Sequence, residues 1–220
     1  MNKIKLLCLL AGFYCSASLA LPITQNKYEN VFHYPFYVGV TFAYGATTWG
    51  FLIPKDSNTA LSVSTPTEVR ESGEEWGIVA GYEFIPSFAL ELSYDHYPRA
   101  RVTFDSLSLL SFENDGLTTF YTDTESLSLV GKFMVLIPHN EYFRAYASAG
   151  AALVHRNDII TDKYLLSPKF GIGGNYVMND FVGMEFGIDY TAGTGESEMS
   201  PAEHFIPFLY SVYTRLILRF

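Results

Sequence analysis

Eleven ionisable side chains fall at alternating positions within otherwise apolar segments. Glu75, Glu83, Glu91, Asp95, Glu185 and Asp189 are the acids; Lys132, Arg144, Lys169, Arg215 and Arg219 are the bases. From Val182 to Tyr190 the order is Val, Gly, Met, Glu, Phe, Gly, Ile, Asp, Tyr, so the charges share one parity and the large apolar residues the other. A strand points successive side chains to opposite faces, which turns this spacing into one charged face and one greasy face. Charges gathered out of water must pair, because an isolated buried ion costs several kcal/mol. The chemistry on offer is therefore a mutually neutralising network, or an ion path along it. Arg215 with Glu185 or Asp189 on the neighbouring strand is the favoured pair.

Catalytic chemistry finds little purchase. A histidine two residues before a serine shares its strand face, where the imidazole could activate the hydroxyl. None of His33, His96, His139, His155 and His204 is followed in that way. His96 and His155 sit near strand ends and are the two candidate bases, yet Asp95 points to the face opposite His96. Glu196, Glu198 and Glu203 read as a solvated acidic loop: carboxylates suit calcium, but the dense Asp/Asn spacing of a calcium loop is missing. Cys8 and Cys15 both lie in the first 20 residues, which removes thiolate and disulfide chemistry from the rest. The expectation is a non-enzyme without catalytic, cofactor or metal residues.

Eight alternating segments must position the charges. They run over about 36–46, 75–84, 88–97, 121–136, 142–154, 164–177, 181–190 and 208–220. Each meets the roughly 9–11 residues that a tilted strand needs to cross a bilayer. Three connections, at Ile85-Pro86-Ser87, Pro138 to Glu141 and Met178-Asn179-Asp180, are tight. Those around 47–74, 98–120, 155–163 and 191–206 are long and polar. Short turns at one end and long loops at the other, with apolar residues alternating out and polar residues in, specify an all-β fold: a closed antiparallel eight-stranded transmembrane β-barrel. Closure is obligatory, since an open edge in lipid strands backbone groups without partners.

Aromatics make up 16% of the chain and half of all residues are hydrophobic, yet no continuous apolar run follows the first 20 residues. The rings sort by strand end, as interfacial anchors do. Tyr44, Trp49, Trp76, Tyr94, Tyr97, Tyr121, Tyr164, Tyr190 and Tyr210 are expected at the outer interface. Phe84, Phe88, Phe143, Tyr176, Phe181 and Phe220 are expected at the inner one. A soluble sandwich or a lipocalin-like carrier, the rival folds, would bury the apolar face instead. Inward glycines at 39, 45, 77, 81, 171, 173, 183 and 187 leave room for long charged chains.

The domain plan follows. Residues 1–20, with Lys3 and Lys5 before an apolar run that closes on Ser18-Leu19-Ala20, form a secretory signal peptide. Residues 21–35 form an N-terminal periplasmic segment, and 36–220 the barrel. Cleavage moves the formal charge from −9 to −11, which argues against nucleic acid as a partner.

Tyr37-Val38-Gly39-Val40, the motif Phe88-Ala89-Leu90-Glu91-Leu92-Ser93-Tyr94 after a three-residue turn, and the terminal aromatic Phe220 together resemble the small OmpA/OmpX-type outer-membrane barrels. The resemblance runs from about Tyr37 to Phe220. It implies an integral protein of the outer membrane, in contact with its lipid and lipopolysaccharide and inserted as a monomer by the assembly machinery, with Phe220 as part of the assembly signal. It also implies a role in adhesion, surface defence or envelope integrity, with a host or surface ligand at the loops. The small lumen of such a barrel is expected to be plugged. A narrow ion-conducting pore and a lipid-modifying enzyme are the alternatives.

Overall fold

A computed structural model describes residues 34–52, 65–137, 140–194 and 205–220. The expected signal peptide at 1–20, nearly all of the expected periplasmic segment at 21–35, His33, His139, His204 and the acidic residues Glu196, Glu198 and Glu203 lie outside the described residues.

The eight amphipathic segments form the wall. In chain order the strands are β1 (Phe36–Thr47), β2 (Glu68–Arg70), β3 (Ser72–Ile85), β4 (Phe88–His96), β5 (Ala100–Thr103), β6 (Thr119–Ile137), β7 (Asn140–Asn157), β8 (Asp162–Val177), β9 (Val182–Thr191) and β10 (Leu209–Arg219). All but β2 and β5 belong to the barrel. Pairing runs β6-β4-β3-β1-β10-β9-β8-β7 and returns from β7 to β6, so the sheet closes. The closing ladder between first and last strands pairs Tyr37 with Arg219 and continues to Thr47 with Leu209. Closure gives every wall strand two neighbours, which lipid demands.

Burial alternates as the pleat requires. Along β10 it is strictly two-fold, with Leu209, Ser211, Tyr213, Arg215, Ile217 and Arg219 inward. Phe42, Ile78, Leu129, Ile172, Phe186 and Val212 face outward with about half or more of their surface exposed. An outward apolar band is the solvent-facing rule inverted, and it is the face a barrel offers to acyl chains.

Three wall strands far exceed what a crossing needs: β6 has 19 residues, β7 has 18 and β8 has 16. Their excess lies at the long-loop end and carries a folded cap. There β5 pairs with the start of β6, and β2 pairs with β5. These two strands extend the wall without adding a crossing. A 3-10 turn, Trp49–Leu52, and a short helix, α1 (Leu109–Glu113), complete the cap. Ser108 caps α1, its hydroxyl accepting from the Ser111 N–H at 3.3 Å. Trp49, Ala100, Val102, Phe104, Leu110, Phe120 and Phe205 form the cap's own apolar core. A second apolar layer, Tyr97, Ala152, Val154, Ile206 and Leu209, lies at the mouth of the barrel.

Two aromatic assignments change as a result. Trp49 and Tyr97 are fully buried and not at the membrane interface. Trp49 packs edge-on against Phe205 (centroids 5.0 Å) and Phe120 (6.0 Å) inside the cap. The loop that carries Trp49 turns inward over the lumen, a consequence of tertiary packing that strand-end position does not encode.

Candidate functional site: the lumen network and the cap

Every one of the eleven charged residues points inward, nearly or fully buried. Their pairing has three levels. Towards the short-turn end, Glu83 of β3 receives Arg144 of β7 at 2.5 Å and Arg219 of β10 at 2.8 Å. In the middle, Lys132 of β6 reaches Glu91 of β4 at 2.8 Å and also Glu185 of β9. Arg215 of β10 joins the same level, 3.4 Å from Glu91, 3.7 Å from Glu185 and 3.6 Å from Asp189. Nearer the cap, Lys169 of β8 lies 2.8 Å from Asp95 of β4 and 3.2 Å from Asp189. Glu75 is held differently: its carboxylate accepts from the Ser211 hydroxyl at 2.5 Å.

Arg215 stands directly across the β10–β9 ladder from Glu185, the pair anticipated from spacing. Most of the remaining pairs join strands that are not neighbours, so the side chains meet across the lumen. Low dielectric strengthens such pairs, and mutual pairing is what makes burial of ten of these groups tolerable, Glu75 resting on the Ser211 hydroxyl instead.

Three inward tyrosines complete the network and were not anticipated as members of it. Tyr37 donates to Glu91 at 2.6 Å, and the Tyr146 and Tyr213 hydroxyls share a hydrogen bond of 2.5 Å. Lys132 sits 4.3 Å over the Tyr146 ring and Arg215 4.2 Å over Tyr213, both within cation–π range. Their inward parity was the available signal. Some inward glycines make room for these rings as well as for charges: a methyl group at Gly81 would strike Tyr37, and one at Gly187 would meet both Tyr146 and Tyr213.

The cap is pinned by one buried cation. Arg156, on the inward face of β7, donates to Asp158 at 2.6 Å and to the Phe205 carbonyl at 2.6 Å. Its guanidinium also lies 4.5 Å over Trp49. Burial lowers its pKa and the adjoining Asp158 carboxylate raises it; burial is the larger effect. Glu71, half-buried at the cap's edge, accepts the Gly50 N–H at 2.6 Å. Burial raises its carboxyl pKa above the usual range, against the lowering effect of the Gly50 and Trp49 N–H groups.

His96 and His155 are not inward. They lie on the outer wall beside Glu125, and His155 stacks on Tyr164 with ring centroids 4.1 Å apart. Phe220 is exposed at the short-turn end, its N–H bonded to the Phe36 carbonyl at 3.0 Å.

With this architecture in view, the likenesses to known proteins are informative. The sequence matches the OmpA-like transmembrane domain over residues 36–169, more than half of the chain, and the chain belongs to that family. Among solved structures it is similar to Neisserial surface protein A, with a TM-score of 0.52 and 13% identity over 84% of this chain and 97% of that one. It is also similar to the N-terminal β-barrel domain of Pseudomonas aeruginosa OprF, with a TM-score of 0.49 and 13% identity over 85% and 98%. At such identities the likeness concerns the fold alone. No curated protein matches the sequence. The chain is thus an eight-stranded β-barrel of the bacterial outer membrane.

Proposed function

We propose that this OmpA-like barrel is a non-enzymatic surface protein: a closed scaffold that presents its folded cap for contact with a partner outside the cell. The observation that carries this reading is the loop between β5 and β6. It is folded, anchored through Leu110 in the cap core, and turns Leu107, Leu109 and Phe112 outward at 67%, 49% and 72% exposure. Large apolar side chains exposed together beyond the membrane mark a contact surface. Loops held on a rigid scaffold are where binding concentrates.

A lumen that stays plugged fits the same role. Its support is the cross-lumen pairing of Lys132 with Glu185, Arg144 and Arg219 with Glu83, Lys169 with Asp95 and Arg215 with Glu91, followed by two apolar layers towards the cap. Among the described residues the non-enzymatic reading is supported by His96 Nδ1, which lies against Glu125, and by the two ring nitrogens of His155, which lie against Glu125 and Asp162. One chain closes the barrel, which supports a monomer inserted by the assembly machinery.

The test is adhesion of cells displaying the wild-type barrel against a Leu107→Ser, Leu109→Ser, Phe112→Ser triple variant. Both should reach the surface equally. The reading predicts attachment by the wild type and its loss in the variant. Equal attachment, or none by the wild type, contradicts it.

A further inference from the structure

The apolar side chains that the cap turns outward are framed by charge of a single sign. Residues three and four apart on a helix share a face, so in α1 Leu109 stands beside Phe112 and Glu113, while Leu110 and Ser111 are buried against the cap. Leu107 lies just before the N-cap residue, and its N–H donates to the Asp105 carboxylate at 2.9 Å. That bond holds Asp105 beside the outward leucine. Asp115 follows the helix in the left-handed region, at φ 50°. The next N–H, of Gly116, donates to the Ser111 carbonyl at 2.8 Å and folds this turn back onto α1. Asp105, Glu113 and Asp115 are all exposed.

From Phe104 to Thr118 the chain has no lysine, arginine or histidine. Glu68 of β2 and Asp123 of β6, lower on the same cap, are each matched by an arginine: Arg70 at 3.2 Å and Arg99 at 2.7 Å. Among the described residues none of Asp105, Glu113 and Asp115 forms an ion pair. Three like charges around an apolar centre restrict what can cover it. A polyanion, whether a sulfated polysaccharide, a nucleic acid or an anionic lipid surface, meets them as like charges. A wholly apolar surface strips water from them and returns no partner, which is costly. An apolar centre with a cationic rim satisfies both parts, and such complementarity is how interfaces select partners.

We infer that the tip of the cap binds a cationic amphipathic polypeptide segment, whose apolar side chains cover Leu107, Leu109 and Phe112 and whose lysines and arginines meet Asp105, Glu113 and Asp115. The inference rests on the contact role proposed for the cap and adds the chemistry of the partner. Three apolar side chains make a contact well below the roughly 1,600 Å² of a standard interface. The charge frame therefore supplies selectivity and speeds encounter.

The experiment is fluorescence anisotropy of labelled peptides added to the full barrel in phosphatidylcholine nanodiscs, with empty nanodiscs as the blank. The probes are an amphipathic leucine–lysine helix, its leucine–glutamate counterpart, and a leucine–lysine peptide of the same composition in scrambled order. Wild type should bind the leucine–lysine helix at least tenfold more tightly than either of the others. Raising salt from about 0.1 to 1 M should weaken that binding several-fold, because the screening length falls from about 10 to 3 Å. An Asp105→Asn, Glu113→Gln, Asp115→Asn variant should bind at least tenfold more weakly and lose the salt dependence. These replacements keep an acceptor for Leu107, a helix former at 113 and a residue that tolerates the left-handed region at 115. No binding by the wild type, equal binding of either control peptide, salt-independent binding, or unchanged affinity in the neutral variant would each overturn the inference. Cells displaying the neutral variant separate this inference from the contact role. Their attachment should be lost; attachment at the wild-type level would remove the cationic partner and leave the contact role standing.

Discussion

Arg215 and Glu185 stand opposite each other on adjacent strands, yet the guanidinium is slightly nearer to Glu91 on the far side of the lumen, at 3.4 Å against 3.7 Å. One cation thus ties β10 to both β9 and β4. Removing it leaves Glu91, Glu185 and Asp189 short of positive charge in a buried setting, where breaking a pair costs about 3–5 kcal/mol. Arg215→Met should lower the unfolding midpoint in urea strongly. Adding Glu185→Gln should recover part of the loss, because the two sites are coupled. Additive losses in the double variant would mean that the pair is not coupled.

The stacking of Arg156 on Trp49 makes a more local claim. Arg156→Ala leaves Asp158 buried without its cation and removes the donor to Phe205. Hydrogen exchange should show the cap amides opening by about 3–5 kcal/mol more readily. Amides of β9 and β10 should be unaffected. Loss of protection throughout the wall would show that cap and barrel form one cooperative unit.

Much of this architecture was legible because a transmembrane strand has two solvents, lipid outside and a narrow polar lumen inside. The parity of Val182 to Tyr190 assigned inside and outside for every residue, and the turns at Ile85 and Met178 set the order of neighbours. What parity does not contain is distance across the barrel. Lys132 and Glu185 meet because tilt and stagger bring β6 and β9 to one height, which no single strand records. Nor does it contain the fold-back of a loop: Trp49 sits in a stretch resembling an interfacial anchor and ends inside the cap. That Trp76, His96, Glu125, His155 and Tyr164 stand opposite one another on successive strands is likewise set by register, not by spacing within a strand.

The cap should also respond to pH through Glu71. Burial raises its folded-state carboxyl pKa, so the folded form holds a proton more tightly than the unfolded chain does. Its stabilising contribution is complete below the ordinary carboxylate range and declines as pH rises through the raised folded value. Cap protection in the wild type should therefore fall as pH is raised from about 4 to 8, a range starting near the unperturbed carboxylate value. Glu71→Gln should flatten that dependence while keeping an acceptor for Gly50. An unchanged slope would assign the effect elsewhere.

Phe220 makes a prediction about biogenesis and not about the finished barrel. Its ring is exposed at the short-turn end, and its backbone alone joins the ladder, through Phe36. Phe220→Asp should cut surface levels several-fold in cells, whereas protein refolded in detergent should keep its unfolding free energy within about 0.5 kcal/mol, as surface substitutions usually do. Normal surface levels would remove Phe220 from assembly.

The central claim is that the barrel works by what it presents outside, with a lumen closed by cross-strand ion pairs beneath an apolar cap. Single-channel recording of pure, refolded protein in a planar bilayer tests this most directly. The account predicts a flat baseline for the wild type, and at most brief openings once Arg156→Ala loosens the cap. A large, steady conductance from the wild-type barrel would contradict it.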